Sequence, residues 1–596
     1  MRAAPNAITA WVVGSALACV IAAPAFAAPV YVEIRGIGDK TLRGEMQDAL
    51  TAFPAPPSSR LEARRRATEA GEKIVAVLRS EGYYDYTVNA DIGDGDTPLA
   101  FVTVQVGPRS KIADPTIAWA GPPPEAAVAA AAQAAMDLKV GDPGRALSVI
   151  AAEGRVVATL REHGHADAEA QPREVIVDHA VQTVQPTFHI SAGPLVKLDG
   201  VQLEGTTRTR PDWVRWLAPW KAGQVYKPED VAELERRLTD TGAFDSVAVA
   251  LATPAGDQQG LRPVIVSLTD RPKGTLELGG SYSTTEGAGV DSRWIVYNRF
   301  SRADTLTTSL EVAQIDSRLQ TELALPDWNK PGQTLKLDVA AYSDNTDAYL
   351  SNGGVISADL THKFSKISFL TWGVSLDGSD TEEKESANYI HASRNRTLIT
   401  GALLGAFNMD NSNDPLDPTR GWRLEARVEP TYALGDGSIG YLKATTQASG
   451  YLPVDDLGTV LAARVKVGTI LGGDIPLVPA PARFYAGGGG SVRGYAYQAV
   501  GPRYGDNTPE GGLSLFESSF EVRQHITEQW SVVAFLDAGS VGQRVNPDFN
   551  HPDLGAGFGV RYNLGFGPIR IDIATPLQQR EGDSIIQLYL SIGQSF

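Results

Sequence analysis

Two periodicities divide this chain of 596 residues. Up to about residue 272, helical stretches alternate with short strand-like runs. In Ile74–Val88 (IVAVLRSEGYYDYTV), Ile74, Val77 and Leu78 fall on one helical face, and Gly82 follows the last turn. The same order of amphipathic helix, glycine and strand returns in Val156–Ala170 (VVATLREHGHADAEA) and Leu234–Val249 (LERRLTDTGAFDSVAV). Gly82, Gly164 and Gly242 lie about 80 residues apart, at the place where a left-handed residue ends a helix. A strand opens each unit, from Val30, Pro115 and Leu195, and another closes it, from Phe101, Thr187 and Val264. Each unit therefore reads β-α-α-β-β, with boundaries at 28–108, 109–193 and 194–272. The charged residues of the third helix (Glu233, Glu235, Arg236, Arg237) read as a solvated face, and His163 and His165 as surface residues.

From about Gly274 the helical spacing stops and strict alternation takes over. LTTSLEVAQ at Leu306, TLKLDVAAYS at Thr334, WRLEARVEPTYAL at Trp422 and LAARVKVGTIL at Leu461 are examples. Polar, Gly- and Asp-rich stretches separate them. At roughly 20 residues per strand and turn, 273–596 holds about 16 strands, long enough to cross a bilayer when tilted. In the last strand, Ile586, Leu588, Leu590, Ile592 and Phe596 share one face, expected to meet lipid. Gln587, Tyr589, Ser591 and Ser595 share the other, with Gln594 breaking the apolar row. The predicted architecture is three α+β modules followed by a transmembrane antiparallel β-barrel.

Composition narrows the function. Charged residues at 21% and hydrophobic residues at 43% fit a folded chain, and the net charge of −17 argues against a nucleic-acid binder. Arg2, the apolar run Ala10–Ala23 and Ala25-Phe26-Ala27 read as a signal peptide over residues 1–27. Cys19 lies inside it, so a mature chain would have neither a disulfide nor a Cys-based metal site. No GxSxG elbow occurs, and the glycines at 555–559 open no βαβ unit, so neither catalysis nor a cofactor is expected.

GGGGSVRGYAYQ (Gly487–Gln498) places one arginine among glycines inside the alternating region. Such a loop can fold into a polar barrel lumen. An arginine at its tip then needs an inward carboxylate. If Trp530, Val532, Ala534 and Leu536 face lipid, Asp537 supplies one. In GPIRIDIATPL from Gly567, Arg570 and Asp572 also point inward, opposite Ile569, Ile571 and Ile573.

These residues carry a resemblance. Val492-Arg493-Gly494-Tyr495 resembles the lumen-loop motif of the BamA/TamA superfamily of outer-membrane insertases. Phe535-x-Asp537-x-Gly539 resembles its barrel-wall motif. Gly555-x-Gly557-x-Gly559-x-Arg561, followed by Gly567, Arg570 and Asp572, resembles its penultimate-strand signature. The α+β units resemble polypeptide-transport-associated (POTRA) domains, and the terminal Phe596 resembles an outer-membrane sorting signal. Three such units and Asp417-Pro418-Thr419-Arg420-Gly421-Trp422 resemble the TamA branch of the superfamily.

The resemblance implies an outer-membrane location with periplasmic POTRA domains. It implies a TamB-like inner-membrane-anchored partner, unfolded outer-membrane protein clients such as autotransporters, and contact with outer-membrane lipids. The first strand (Gly274–Ser283, with Gly279) would meet the last (Ile585–Phe596, with Gly593 and Phe596) at a weak lateral seam that templates a client strand. Arg493 and Asp537 would fix the loop against the far wall, or serve barrel stability alone. Phospholipid transport with the TamB-like partner is the alternative function, and a two-partner secretion pore a third.

Overall fold

The structure, a computed structural model, describes residues 32–592 except 51–56, 95–98, 254–259, 284–286, 366, 385–393, 456–457, 506 and 565–567. The stretch read as a signal peptide lies outside these residues, as do Gly567, Gly593 and Phe596. The chain divides into two compact units. One runs to Lys197 and includes Val225–Pro228; the other holds Leu198–Gln224 and the chain from Glu229 onward.

The first unit contains a β-α-α-β-β module and a second one that keeps this order with two short strands added. The first is β1 (Val32–Arg35), α1 (Lys40–Ala49), α2 (Arg60–Ser80), β2 (Tyr86–Ile92) and β3 (Ala100–Val106). β3 lies between β1, to which it is parallel, and β2, to which it is antiparallel. The second is β4 (Lys111–Ile112), β5 (Thr116–Trp119), α3 (Ala126–Ala135), α4 (Ala146–Glu162), β6 (Glu169–Ala170), β7 (Glu174–Asp178) and β8 (Thr183–Ser191), with β8 pairing every other strand of its sheet.

Local chemistry explains where α2 starts and stops. Ser59 caps it by accepting the Glu62 amide N–H (3.2 Å), and the Glu62 carboxylate accepts the Ser58 amide N–H (2.7 Å). The Ser58 hydroxyl and amide N–H, with the Arg66 guanidinium, hold the Glu62 carboxyl down to about 2. Ala63, Ala67, Ala70, Ile74 and Leu78 form the buried stripe, the last four packed with Val102 and Val104. Gly82 (φ 86°) then ends the helix as its spacing predicts: its N–H donates to the Arg79 carbonyl and that of Tyr83 to the Leu78 carbonyl (2.8 Å). Gly164 (φ 96°) repeats this after α4. His165 departs from its expected surface position. It is buried, with Nδ1 3.0 Å from the Gly193 carbonyl, because the residue after the left-handed glycine turns back under the helix.

The third module is β9 (Lys197–Glu204), α5 (Pro211–Leu217), α6 (Pro228–Asp240), β10 (Phe244–Leu251) and β11 (Leu261–Asp270), with β11 central. Gly242 (φ 68°) follows its long helix. The charged face of α6 is partly engaged: Arg237 donates to the Leu217 carbonyl (2.7 Å) as well as to Glu233.

The second unit is dominated by one sixteen-stranded antiparallel sheet, the strand number the alternation predicts. Its first half is β12 (Gly274–Ser283), β13 (Gly287–Tyr297), β14 (Thr305–Ala313), β15 (Asp316–Leu325), β16 (Gln333–Asn345), β17 (Tyr349–Lys363), β18 (Phe369–Glu383) and β19 (Arg394–Asp410). Its second half is β20 (Gly421–Gly435), β21 (Ile439–Pro453), β22 (Thr459–Leu471), β23 (Ser514–His525), β24 (Trp530–Gly542), β25 (Asp553–Asn563), β26 (Pro568–Pro576) and β27 (Gln587–Ile592). The sheet curls until β12 and β27 come within 8 Å (Cα–Cα). Large apolar side chains point outward and are exposed: Leu278, Trp294, Val339, Val374, Leu403, Phe558 and Leu590. That inside-out pattern suits a lipid solvent.

Candidate functional site

Between β22 and β23 the chain leaves the wall for a long loop and folds into the lumen. Phe484, Val492, Tyr495 and Val500 pack there with Ile470, Leu515 and Val541 of the wall. Ala486 bridges to Val500 and Phe484 to Gly512, so the loop is a braced excursion. Its tip is tied down at Ser491, whose hydroxyl accepts the Gly487 N–H (3.0 Å) and donates to Glu517 on β23 (2.5 Å). Arg464 on β22 donates to the carbonyl of Gly490 (3.0 Å).

This bracing presents Arg493, which is 1% exposed. Its Nε donates to Asp537 Oδ2 (2.7 Å) and its Nη2 to Asp537 Oδ1 (2.9 Å), a two-point pairing across the lumen. Nη1 lies 2.8 Å from Glu521 and 3.1 Å from Asp572. The guanidinium carbon stands 3.4 Å from the centroid of the Phe535 ring. A buried cation loses its hydration, and only several close partners offset that cost. Here three carboxylates and one ring face do so. The same carboxylates hold further arginines: Arg523 on Glu521 (2.8 Å) and Arg561 on Asp572 (2.5 Å). Arg570 sits 3.5 Å from Asp572 and reaches the Gly489 carbonyl.

Sheet register gathers these groups. β23 sets Ser519 against Asp537 and Glu521 against Phe535; β24 sets Asp537 against Gly555; β25 sets Gly559 against Asp572; β26 sets Asp572 against Tyr589. Alternation turns all of them inward, while Trp530, Val532, Leu536, Ile571 and Ile573 are exposed outside, as predicted. The glycines on β25 make room: a Cβ at Gly555 would overlap the Arg493 carbonyl oxygen. Gly494 is different, since its φ of 103° requires glycine. Val492 packs against the bare face of Gly539, so all four residues of the loop motif and all three of the wall motif meet in one place.

Other functional contacts were not legible in advance. Tyr589 on β27 was expected only to face inward. Its hydroxyl accepts the Gly494 N–H (3.0 Å) and donates to the Tyr495 carbonyl (3.2 Å), tying the loop to the last strand. A second buried ion cluster holds the root of the loop: Glu383 on β18 pairs with Arg396 on β19 (3.1 Å) and Arg483 in the loop (3.1 Å), and accepts the Ala480 N–H (3.0 Å). The stretch Asp417–Trp422 forms the turn into β20, where the Asn413 side chain accepts the amides of Thr419 and Arg420.

At the seam, β27 pairs with β26 over Gln587–Ile592 against Ile569–Ala574 among the described residues, and β17 and β18 pair along fifteen residues. No ladder joins β12 to β27 among the described residues. Of the expected last strand, Ile585–Phe596, residues Gln587–Ile592 form β27, Ile585 and Ile586 precede it, and residues 593–596 lie outside the described residues. Gly279 lies on β12 facing Asp291 of β13.

A sixteen-stranded barrel with an apolar exterior, a polar interior and an inward loop, preceded by β-α-α-β-β modules, is an outer-membrane protein with periplasmic modules. Residues 298–596 match the Omp85 superfamily domain, and residues 196–269 match the POTRA family, described as surface antigen variable number repeat. The chain belongs to the Omp85 superfamily. It is 23% identical over 456 residues to outer membrane protein assembly factor BamA of Neorickettsia risticii, covering 74% of this chain and 60% of that protein. It is 22% identical over 588 residues to BamA of Neisseria meningitidis serogroup B, covering 88% of this chain and 72% of that one. The crystal structure of BamA from Haemophilus ducreyi lacking POTRA domains 1–3 shares the fold. Its TM-score is 0.68 at 18% identity, covering 81% of this chain and 99% of that chain.

Proposed function

We propose that this protein assists insertion or secretion of other outer-membrane proteins, autotransporters among them, by pairing client strands at its β12–β27 seam. One observation carries the reading: among the described residues no ladder joins β27 to β12, and Tyr589 ties β27 to the loop from within. A strand so held can leave β12, and the exposed edge then offers backbone donors and acceptors where water is absent. In this reading Arg493, Asp537 and Asp572 keep the loop and far wall rigid while the seam moves. We assign all three modules as POTRA domains receiving unfolded clients by strand addition, and a TamB-like inner-membrane-anchored protein as partner. The three-module order supports the TamA branch.

The test is a disulfide between one cysteine in β12 and one in β27, at facing positions, in a background without Cys19. Autotransporter assembly and delivery of newly made phospholipid are measured oxidised and reduced. Strand exchange requires assembly to fail only when the lock is closed. Intact assembly with the lock fully formed defeats it, and a defect confined to lipid delivery selects phospholipid transport instead.

A further inference from the structure

The first three turns at the periplasmic end of the barrel combine basic and aromatic residues. The turn after β13 holds Arg299, Phe300 and Arg302; that after β15 holds Trp328 and Lys330; Lys363 and Phe364 open the third. Their aromatic rings are exposed, Phe364 at 60% and Phe300 at 50%. Residues 411–420 and 526–529, which form two later turns, contain no aromatic and carry Asp414, Asp417, Arg420 and Glu528. In a protein of net charge −17, a basic and aromatic edge calls for an anionic, partly apolar neighbour.

Within this edge the second unit forms a cavity of about 430 Å³, lined by Arg210, Trp213 and Trp216 of the third module and by Arg302, Trp328 and Asn329 of the turns. Among the described residues, neither Arg210 nor Arg302 has a carboxylate within ion-pair distance. Their nearest acceptors are the carbonyls of Phe300 and Trp328, each 3.5 Å away. Asp212 also lines the cavity, but it is paired with Arg215 (2.8 Å). The Arg302 guanidinium lies 5.5 Å from the Trp328 ring centroid, leaving its edge free to bind.

The cavity is built before any ligand arrives. The buried Asp304 carboxylate accepts the amide N–H groups of Arg299 (3.0 Å) and Phe300 (2.9 Å). Asn298 donates to Thr209 (2.7 Å), and the Arg210 N–H donates to the Ser301 carbonyl (2.9 Å), docking α5 on the turn. Asp327 accepts the Gly332 N–H (2.7 Å) and fixes the turn of Trp328. The strands above expose Leu276, Trp294, Leu319 and Leu337 to lipid, so the cavity sits where acyl chains end and headgroups begin. Tryptophan and arginine favour that level.

We infer that this corner binds one phospholipid of the periplasmic leaflet, with the phosphate between Arg210 and Arg302 and the glycerol region against Trp216 and Trp328. The inference depends on the outer-membrane barrel and not on strand exchange, so a seam-locked protein should bind lipid normally.

The test is native mass spectrometry of the full-length protein released from non-ionic detergent, with dioleoyl phosphatidylglycerol, dioleoyl phosphatidylethanolamine or inorganic phosphate added. Retention of one phospholipid per chain is expected, about tenfold weaker in the R210Q/R302Q double variant and unchanged in K336Q, a lumen variant. W216A alone, which leaves both arginines in place, should weaken retention severalfold and keeps the test open if the double variant does not fold. Equal retention in wild type and both cavity variants overturns the inference. So does displacement of lipid by a hundredfold excess of inorganic phosphate, which would mark a simple anion site.

Discussion

Two ion pairs line the inside of the same barrel and do different work. Lys336 and Glu322, on β16 and β15, stand 3.1 Å apart with side chains 44% and 30% exposed. Arg493 and Asp537 stand 2.7 Å apart at 2% and 0%. Both arise from alternation that turns polar side chains inward. The difference is the loop: over β23–β27 it converts lumen wall into protein interior, whereas over β14–β17 the wall still faces solvent. An exposed pair is screened and contributes little, while a buried one cannot lose a partner cheaply. The polar lining of a barrel is therefore not one environment.

Breaking the buried side should show this most strongly. R493A leaves Asp537 and Glu521 in a dry site, and the barrel should lose about 3–5 kcal/mol of stability in denaturant titrations followed by heat-modifiability on gels. E383Q, at the root of the loop, strands parts of Arg396 and Arg483 and should cost about 2–3 kcal/mol by the same titration. Adding one methyl group in G555A presses on the Arg493 carbonyl, and about 2 kcal/mol is expected. Y589F keeps the ring and removes the hydroxyl, with an expected loss of about 1 kcal/mol and faster proteolysis of the loop. K336A on the solvent side should change stability by at most about 0.5 kcal/mol. A K336A loss equal to that of R493A would erase the distinction.

Much of this was readable from local pattern. Strand faces, the strand number and the inward direction of Asp537, Arg570 and Asp572 follow from a period of two. The helix-ending glycines follow from backbone sterics. What escaped were long-range pairings with no period. Nothing local to Glu383 separates it from a lumen carboxylate in water, because its partner Arg483 lies a hundred residues away. Tyr589 likewise looks the same whether its hydroxyl meets water or Gly494. One signal was available: Gly555, Gly557 and Gly559 leave a strand without side chains on its inward face, which marks a place where another backbone comes close. His165 escaped for a related reason, since its burial follows from the chain reversal after Gly164.

The arginine cluster also constrains the order in which the molecule can be built. Arg493 lies behind β23, β24, β25 and β26, and its partners are contributed by three of those strands. A guanidinium cannot be threaded through a finished wall into a dry site, so the loop must be indoors before the wall curls shut, and β27 then arrives last against Tyr495 and Gly494. Pulse-labelling of cysteines placed in the loop and in β27 during refolding should register the loop as protected first. Protection of β27 ahead of the loop would mean that the wall closes empty and the cluster forms afterwards.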